Sequence, residues 1–317
     1  MMMKSKLKQS LIVTAISAVT IYFVIFFKTD LTQYRIAQQV WNLGHIFLFI
    51  GLNYVFYKKI LHGLNISIAQ EFIIVVLCSF FIGMLIELIQ MYTGRDKSNY
   101  DVLLDVVGAS IAFLLFSRLY LALKIYTKLQ LASLVLIFSA ASLYPMYVNV
   151  IDAIHQRMEF PLLLANKNKH EVTRFNKNNV EIFLDTAELG GISKQVMNVS
   201  FKPEKYPTIN LESFNEEWSD YNFLVFSIYN PANSVSKLVI RIHDSLHQQH
   251  GFNFSDRFNQ QLKLESGWNN FKISLKHVKY APINRDMNMD KIESLMFFKI
   301  NPQITETLYF SDIKLVK

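Results

Sequence analysis

The residues of this chain whose types and spacing could do chemistry are His45, Glu87, Gln90, Arg95, Asp101 and Asp105, with Gly108 beside them. Together they offer an imidazole, three carboxylates, an amide and a guanidinium. They fall where long apolar stretches meet, and an ionisable group held at the hydrocarbon boundary is costly enough to mark a site. Four chemistries stay open. The group can be polar glue that fixes helix packing. It can hold an anionic headgroup, with Arg95 as a bidentate fork that the carboxylates and His45 orient. Glu87 or Asp105 could serve as a general base, although no nucleophile or hydrolase arrangement stands beside them. His45, Glu87 and Asp105 suit a metal by donor type but lack a recognised ligand spacing, so no metal is expected.

The elements that position these residues follow from periodicity. Gly83, Glu87, Gln90 and Gly94 lie at offsets 0, 4, 7 and 11, one stripe of a helix, and Asp101, Asp105, Gly108 and Ala112 repeat those offsets. Small residues on both stripes allow close approach around a polar cluster. The short connection over 91–100, with Gly94 for the turn, predicts antiparallel neighbours, and Ser98 and Asp101 suit a helix start. Trp41 to His45 opens the preceding apolar stretch, with Trp41 as an interface anchor.

Five stretches approach the length needed to cross a bilayer: 9–27, 41–57, 68–91, 101–123 and 129–149. Half the chain is apolar, and the net charge of +7 belongs mostly to its first part. Residues 1–149 carry twelve Lys and Arg against six Asp and Glu, and the remainder carries twenty against nineteen. No basic stripe or recognition motif accompanies this charge, which argues against nucleic acid. The basic residues flanking the stretches place the N-terminus in the cytoplasm, and five spans then carry the second half outside a cytoplasmic membrane. The first stretch is expected to stay as an uncleaved signal-anchor. Glu71, at the inner end of its stretch, is expected to reach cytoplasmic water. The single Cys78 lies within a span, so the exported half is expected to lack a disulfide.

His45, the Glu87-x-x-Gln90 ending of one span, the Gly94-Arg95 turn, and Asp101-x-x-x-Asp105-x-x-Gly108 opening the next resemble the VanZ-like membrane proteins over about 35–120. The resemblance implies the same helical membrane unit. One position departs from it, since Asp105 stands where that family usually has Asn. The added negative charge favours a shared proton, a tight Arg95 contact or a bound cation.

Beyond residue 149 the pattern changes. Residues 150–170 are expected to be a juxtamembrane amphipathic helix followed by a polar tether, Asn166 to His170. From 171 to 317 the period is two, seen where Leu238, Ile240 and Ile242 alternate with Val239, Arg241 and His243, and where Phe271, Ile273 and Leu275 alternate with Lys272, Ser274 and Lys276. About nine such strands predict an antiparallel sandwich. Leu308 and Phe310 are out of phase with Ile313 and Leu315, which predicts a bulge at Ser311-Asp312. The expected fold class is therefore a five-helix membrane bundle followed by an all-β sandwich.

The segments around Trp218 to Tyr221, His243 to Phe258, Gly267 to Asn269, Asp290 to Ile292 and Tyr309 to Leu315 resemble the galactose-binding-like jelly rolls found among carbohydrate-binding modules. The resemblance implies an envelope glycan or lipid-linked glycan as partner. It also implies a structural calcium held by a carboxylate in the last strand, but Ser311 stands near that place, and no cofactor is expected. A pyranose needs exposed aromatic faces flanked by polar groups. His247, His250, Phe252 and Phe254 are the candidates, with core or edge packing as their alternative role, while Trp218 and Trp268 are expected in the core. The expected function is membrane-held glycan engagement without catalysis. The alternatives are an enzyme acting on a lipid-linked substrate through Glu87 and Asp105, and a structural anchor for a protein-contact module.

Overall fold

The computed structural model describes residues 35–92, 98–212, 214 and 217–317. The expected first span at 9–27, and Gly94 and Arg95, lie outside the described residues. The chain divides into two compact units, residues 1–147 and 148–317.

The first unit is helical: α1 (Arg35–Lys59), α2 (Ile68–Tyr92), α3 (Asn99–Phe116) and α4 (Ile125–Glu159). Each is long and apolar enough to cross a membrane. Ser98 starts α3, its extended backbone letting the hydroxyl accept the Asp101 N–H at 3.3 Å. Ser117 ends α3 and caps a single turn at Arg118–Leu121, so the expected span to residue 123 closes early. The Ser117 hydroxyl also donates to Glu71 at 3.0 Å, and Glu71 is buried rather than solvated as expected. Close approach is built into the helix faces. A Cβ on Gly108 of α3 would stand 2.6 Å from the Ile46 carbonyl oxygen of α1. Asn53 of α1 donates to Ser79 of α2 at 3.0 Å, and the Tyr100 hydroxyl donates to the Ser142 carbonyl of α4 at 2.8 Å.

The last apolar helix does not end at residue 149 as expected, because α4 runs on through Pro145 to Glu159. A proline removes one ladder donor without forbidding continuation when tertiary packing holds the turn. The stretch read as a separate juxtamembrane helix is therefore the last part of α4. The expected tether at Asn166 to His170 is corrected as well. The Glu171 carboxylate accepts the backbone N–H groups of Ala165, Asn166, Lys167 and Asn168 at 2.7 to 3.0 Å. Arg174, also buried, donates to both carboxylate oxygens of Asp152 through Nε and to one of them through Nη2, and to the Leu163 carbonyl. Such charge-assisted bonds fasten the segment.

The second unit is an antiparallel sandwich. One sheet orders β3 (Val180–Leu189), β4 (Ile192–Phe201), β11 (Glu306–Val316), β6 (Phe223–Asn230) and β9 (Gly267–Ser274), with the short β1 (Leu162–Leu164) also on β11. The other orders β2 (Phe175–Asn178), β5 (Thr208–Glu212), β10 (Ile292–Phe298), β7 (Ser236–Asp244) and β8 (Phe258–Leu264). Period-two alternation supplies the core: Leu224, Phe226 and Ile228 from one sheet meet Leu238, Ile240, Ile242, Leu295 and Phe297 from the other. The register of β11 against β6 shifts between Phe310 and Ile313, and Leu308, Phe310, Ile313 and Leu315 are all buried, which is the predicted bulge. Gly190 and Gly191, at φ +60° and +80°, turn β3 into β4 where a side chain would be strained. Trp218 is in the core, but Trp268 is not. It lies on the outward face of β9, edge-on to Tyr229 with ring centroids 5.3 Å apart, because Phe271 and Ile273 take the inward phase.

Candidate functional site

The helical unit gathers the first set of residues. His45, Glu87, Gln90, Asp101, Asp105 and Gly108 are all buried, contributed by α1, α2 and α3. His45 Nδ1 lies 2.9 Å from Asp105 Oδ1, and since an ionised carboxylate only accepts, Nδ1 carries the proton. His45 Nε2 then faces Asp101 Oδ2 at 3.6 Å. Glu87 Oε2 accepts the Ser98 N–H at 2.7 Å, which clasps the end of α2 to the start of α3. Gly83 makes room for this arrangement, since a Cβ there would stand closer to the Asp105 carboxylate than real contacts allow.

The second set lies on the outer face of the five-stranded sheet. With Leu238, Ile240 and Ile242 in the core, Arg241 and His243 of β7 must face outward. Register aligns Asn210, Met296, Arg241 and Asn259 across four strands, and Glu212, Ser294 and His243 in the next row. Ser294 donates to Asn210 Oδ1 at 2.6 Å, and Asn210 donates to Glu212. The segment between β7 and β8 lies beside this face. An Arg285 clamp holds it, donating to both oxygens of Asp244 at 2.5 and 2.7 Å and to both oxygens of Asp256 at 2.6 and 2.8 Å. Those bonds hold the Asp256 carboxyl well below its usual range, with His250 and His247 adding to the effect.

The four candidates named from sequence are placed differently. His247 is fully buried, and its Nε2 accepts from Arg241 at 2.9 Å while Nδ1 donates to the Asp256 carbonyl at 3.1 Å, so it positions Arg241 rather than meeting solvent. His250, half-exposed, lies 3.2 Å from the Asp256 carboxylate. Phe252 and Phe254 are exposed, and the Arg257 guanidinium lies 5.0 Å from the Phe254 ring centroid. Phe252 stands at φ +56°.

Arg241, His243, Arg257 and Asn259 were not singled out from sequence. Arg241 Nε, His243 Nδ1, Arg257 Nε and Asn259 Oδ1 are buried polar atoms without a hydrogen-bond partner among the described residues. Burial, with Arg257 nearby, pulls the Arg241 guanidinium down to about 10. Burial together with Arg241, His247 and Arg257 pushes the His243 imidazole down to about 3, so it is neutral at pH 7. This face therefore concentrates positive charge and unused hydrogen-bonding capacity beside an exposed aromatic ring. The alternation of β7 placed Arg241 and His243 outside, but nothing local joined them to Arg257.

Ser311, near the place where the jelly-roll resemblance implies a calcium-binding carboxylate, offers a hydroxyl rather than a carboxylate. Ser311 is buried with the Lys194 ammonium 2.5 Å from its hydroxyl, whereas calcium takes six to eight oxygen ligands.

No family model matches the chain and no curated protein sequence matches it, so the VanZ-like resemblance rests on the pattern from His45 to Gly108 alone. Solved structures that resemble it include the Family 11 carbohydrate-binding module from Clostridium thermocellum in complex with a beta-1,3-1,4-mixed-linked tetrasaccharide, at 15% identity and a TM-score of 0.37, covering 49% of this chain and 94% of that one. A Family 30 carbohydrate-binding module of the Clostridium thermocellum cellulosomal cellulase Cel9D-Cel44B matches at 16% identity and a TM-score of 0.34, covering 45% and 90%. An exo-beta-agarase matches at 12% identity and a TM-score of 0.39, covering 49% of this chain and 24% of that one.

Proposed function

We propose that this chain is a membrane-held glycan-binding protein whose sandwich engages an acidic glycan of the cell envelope. The observation that carries the reading is the pair Arg241 and Arg257. Both are half-buried on one face, with no carboxylate in ion-pair range among the described residues and with an unpaired Nε each. A buried cation without a counter-charge is costly, and an anionic ligand supplies it. A uronate, sulfate or phosphate group accepts bidentate bonds from a guanidinium fork. Neutral His243 and Asn259 offer donors and acceptors to hydroxyl groups, and Phe254 and Phe252 offer rings to the apolar side of a pyranose.

Four apolar helices supply the membrane anchorage. The N-terminus is proposed to be cytoplasmic and the sandwich to stand outside the cytoplasmic membrane, as the flanking Lys and Arg residues argue. In the VanZ-like reading, Arg95 would meet the phosphate of a lipid-linked glycan. No catalysis is proposed, since the sequence around Glu87 and Asp105 carries no recognised hydrolase arrangement.

The test is a glycan array probed with the full-length protein in lipid nanodiscs, carrying matched acidic and neutral oligosaccharides. Binding confined to acidic glycans and lost in Arg257→Gln supports the reading. Binding to no glycan, or the same pattern from the variant, refutes it.

A further inference from the structure

We infer that the helical unit holds a single divalent transition-metal ion on His45 Nε2, Glu87 and Asp101, with Asp105 behind the imidazole. Each of the three residues places one donor atom within 4.8 Å of the others, and all three are buried. Spacing in the sequence gives no hint of this, because α1, α2 and α3 each contribute one ligand.

The imidazole makes this site more than a cluster of carboxylates. His45 is 1% exposed, and its Nε2 has no hydrogen-bond partner among the described residues. Its other nitrogen is committed to Asp105 at 2.9 Å. A metal-binding histidine characteristically donates its second N–H to a carboxylate, which fixes the tautomer and raises the basicity of the free nitrogen. Asp105 fills that role, and its remaining Oδ2 is buried against Gly83 without a hydrogen-bond partner among the described residues. An Asn could accept the same hydrogen bond but would bring no charge, so the carboxylate at this position is what a cation would select.

The neighbouring groups fit as well. Glu87 is fixed by the Ser98 N–H at 2.7 Å, and a carboxylate has further lone pairs for a ligand. Asp101 Oδ1 is buried without a hydrogen-bond partner among the described residues, while Oδ2 faces His45 at 3.6 Å. One nitrogen and two carboxylate oxygens suit Mn²⁺, Fe²⁺ or Zn²⁺ rather than Ca²⁺ or Mg²⁺, which take all-oxygen shells. A divalent charge would also neutralise the two ligating carboxylates.

The experiment uses the full-length protein in lipid nanodiscs, stripped with a chelator and dialysed against Mn²⁺ or Zn²⁺ alone. Elemental analysis should count one metal per chain, and pulsed electron paramagnetic resonance of the Mn²⁺ form should show coupling to an imidazole nitrogen. Glu87→Gln and His45→Ala should abolish stoichiometric binding. Asp105→Asn should retain the ion with affinity lowered about tenfold to a hundredfold. Substoichiometric metal in the parent protein, a Mn²⁺ signal without nitrogen coupling, or equal binding by folded Glu87→Gln would each overturn the inference. Should the variants fail to fold, the nitrogen coupling of the parent protein decides alone.

Discussion

Arg285 ties together two carboxylates that lie far from it in sequence, and the outer face of the five-stranded sheet depends on that clamp. Asp244 is fully buried, so Arg285→Ala would strand its charge. The expected loss is about 3 kcal/mol of sandwich stability, read by denaturant titration of the full chain in detergent. Acid acts on the same clamp, because the Asp256 pKa is depressed in the fold. Its contribution is present at neutral pH and is lost as the pH falls below about 4. His243 adds to this loss in acid, as a histidine kept neutral by burial. Between its unfolded pKa near 6.5 and its folded value of about 3, the unfolded chain binds the extra proton, so stability falls as pH falls. Between pH 6.5 and 5 this amounts to about 2 kcal/mol, and His243→Gln should remove that slope from the melting curve.

The helices and strands were legible to the extent that a face is set by a period. The stripes from Gly83 to Gln90 and from Asp101 to Ala112 face inward because 3.6-residue spacing leaves them no other side. The bulge in β11 was legible because four apolar residues split across two phases cannot otherwise share one core. Trp268 was misplaced although its phase, opposite to Phe271 and Ile273, already put it outside; its size argued for the core and the register overruled it. What no local pattern could supply was convergence over long separations, such as Arg257 reaching the row of Arg241, or Glu171 gathering four amides to turn an expected tether into a fixed segment. Close packing gives a further prediction. Gly108→Ala would drive a methyl group against the Ile46 carbonyl and the Phe49 side chain, so α1 and α3 must part. The expected destabilisation is about 1 to 3 kcal/mol, measured as a lowered melting temperature in detergent.

The whole molecule joins helices long and apolar enough to cross a membrane and an antiparallel sandwich in one chain. If the sandwich stands outside, Asn233→Cys in a Cys78→Ala background will react with a membrane-impermeant maleimide on intact cells, and protection until the cells are lysed would reverse the assigned orientation. The positive face of the sandwich is proposed as a seat for an acidic sugar. Titration calorimetry of the full chain in nanodiscs, with an oligouronide and the neutral oligosaccharide of the same linkage, tests it directly. Heat from the oligouronide alone is expected, with an affinity that weakens with added salt and is lost in Arg241→Gln. Equal heats from both sugars, or none from either, would contradict it.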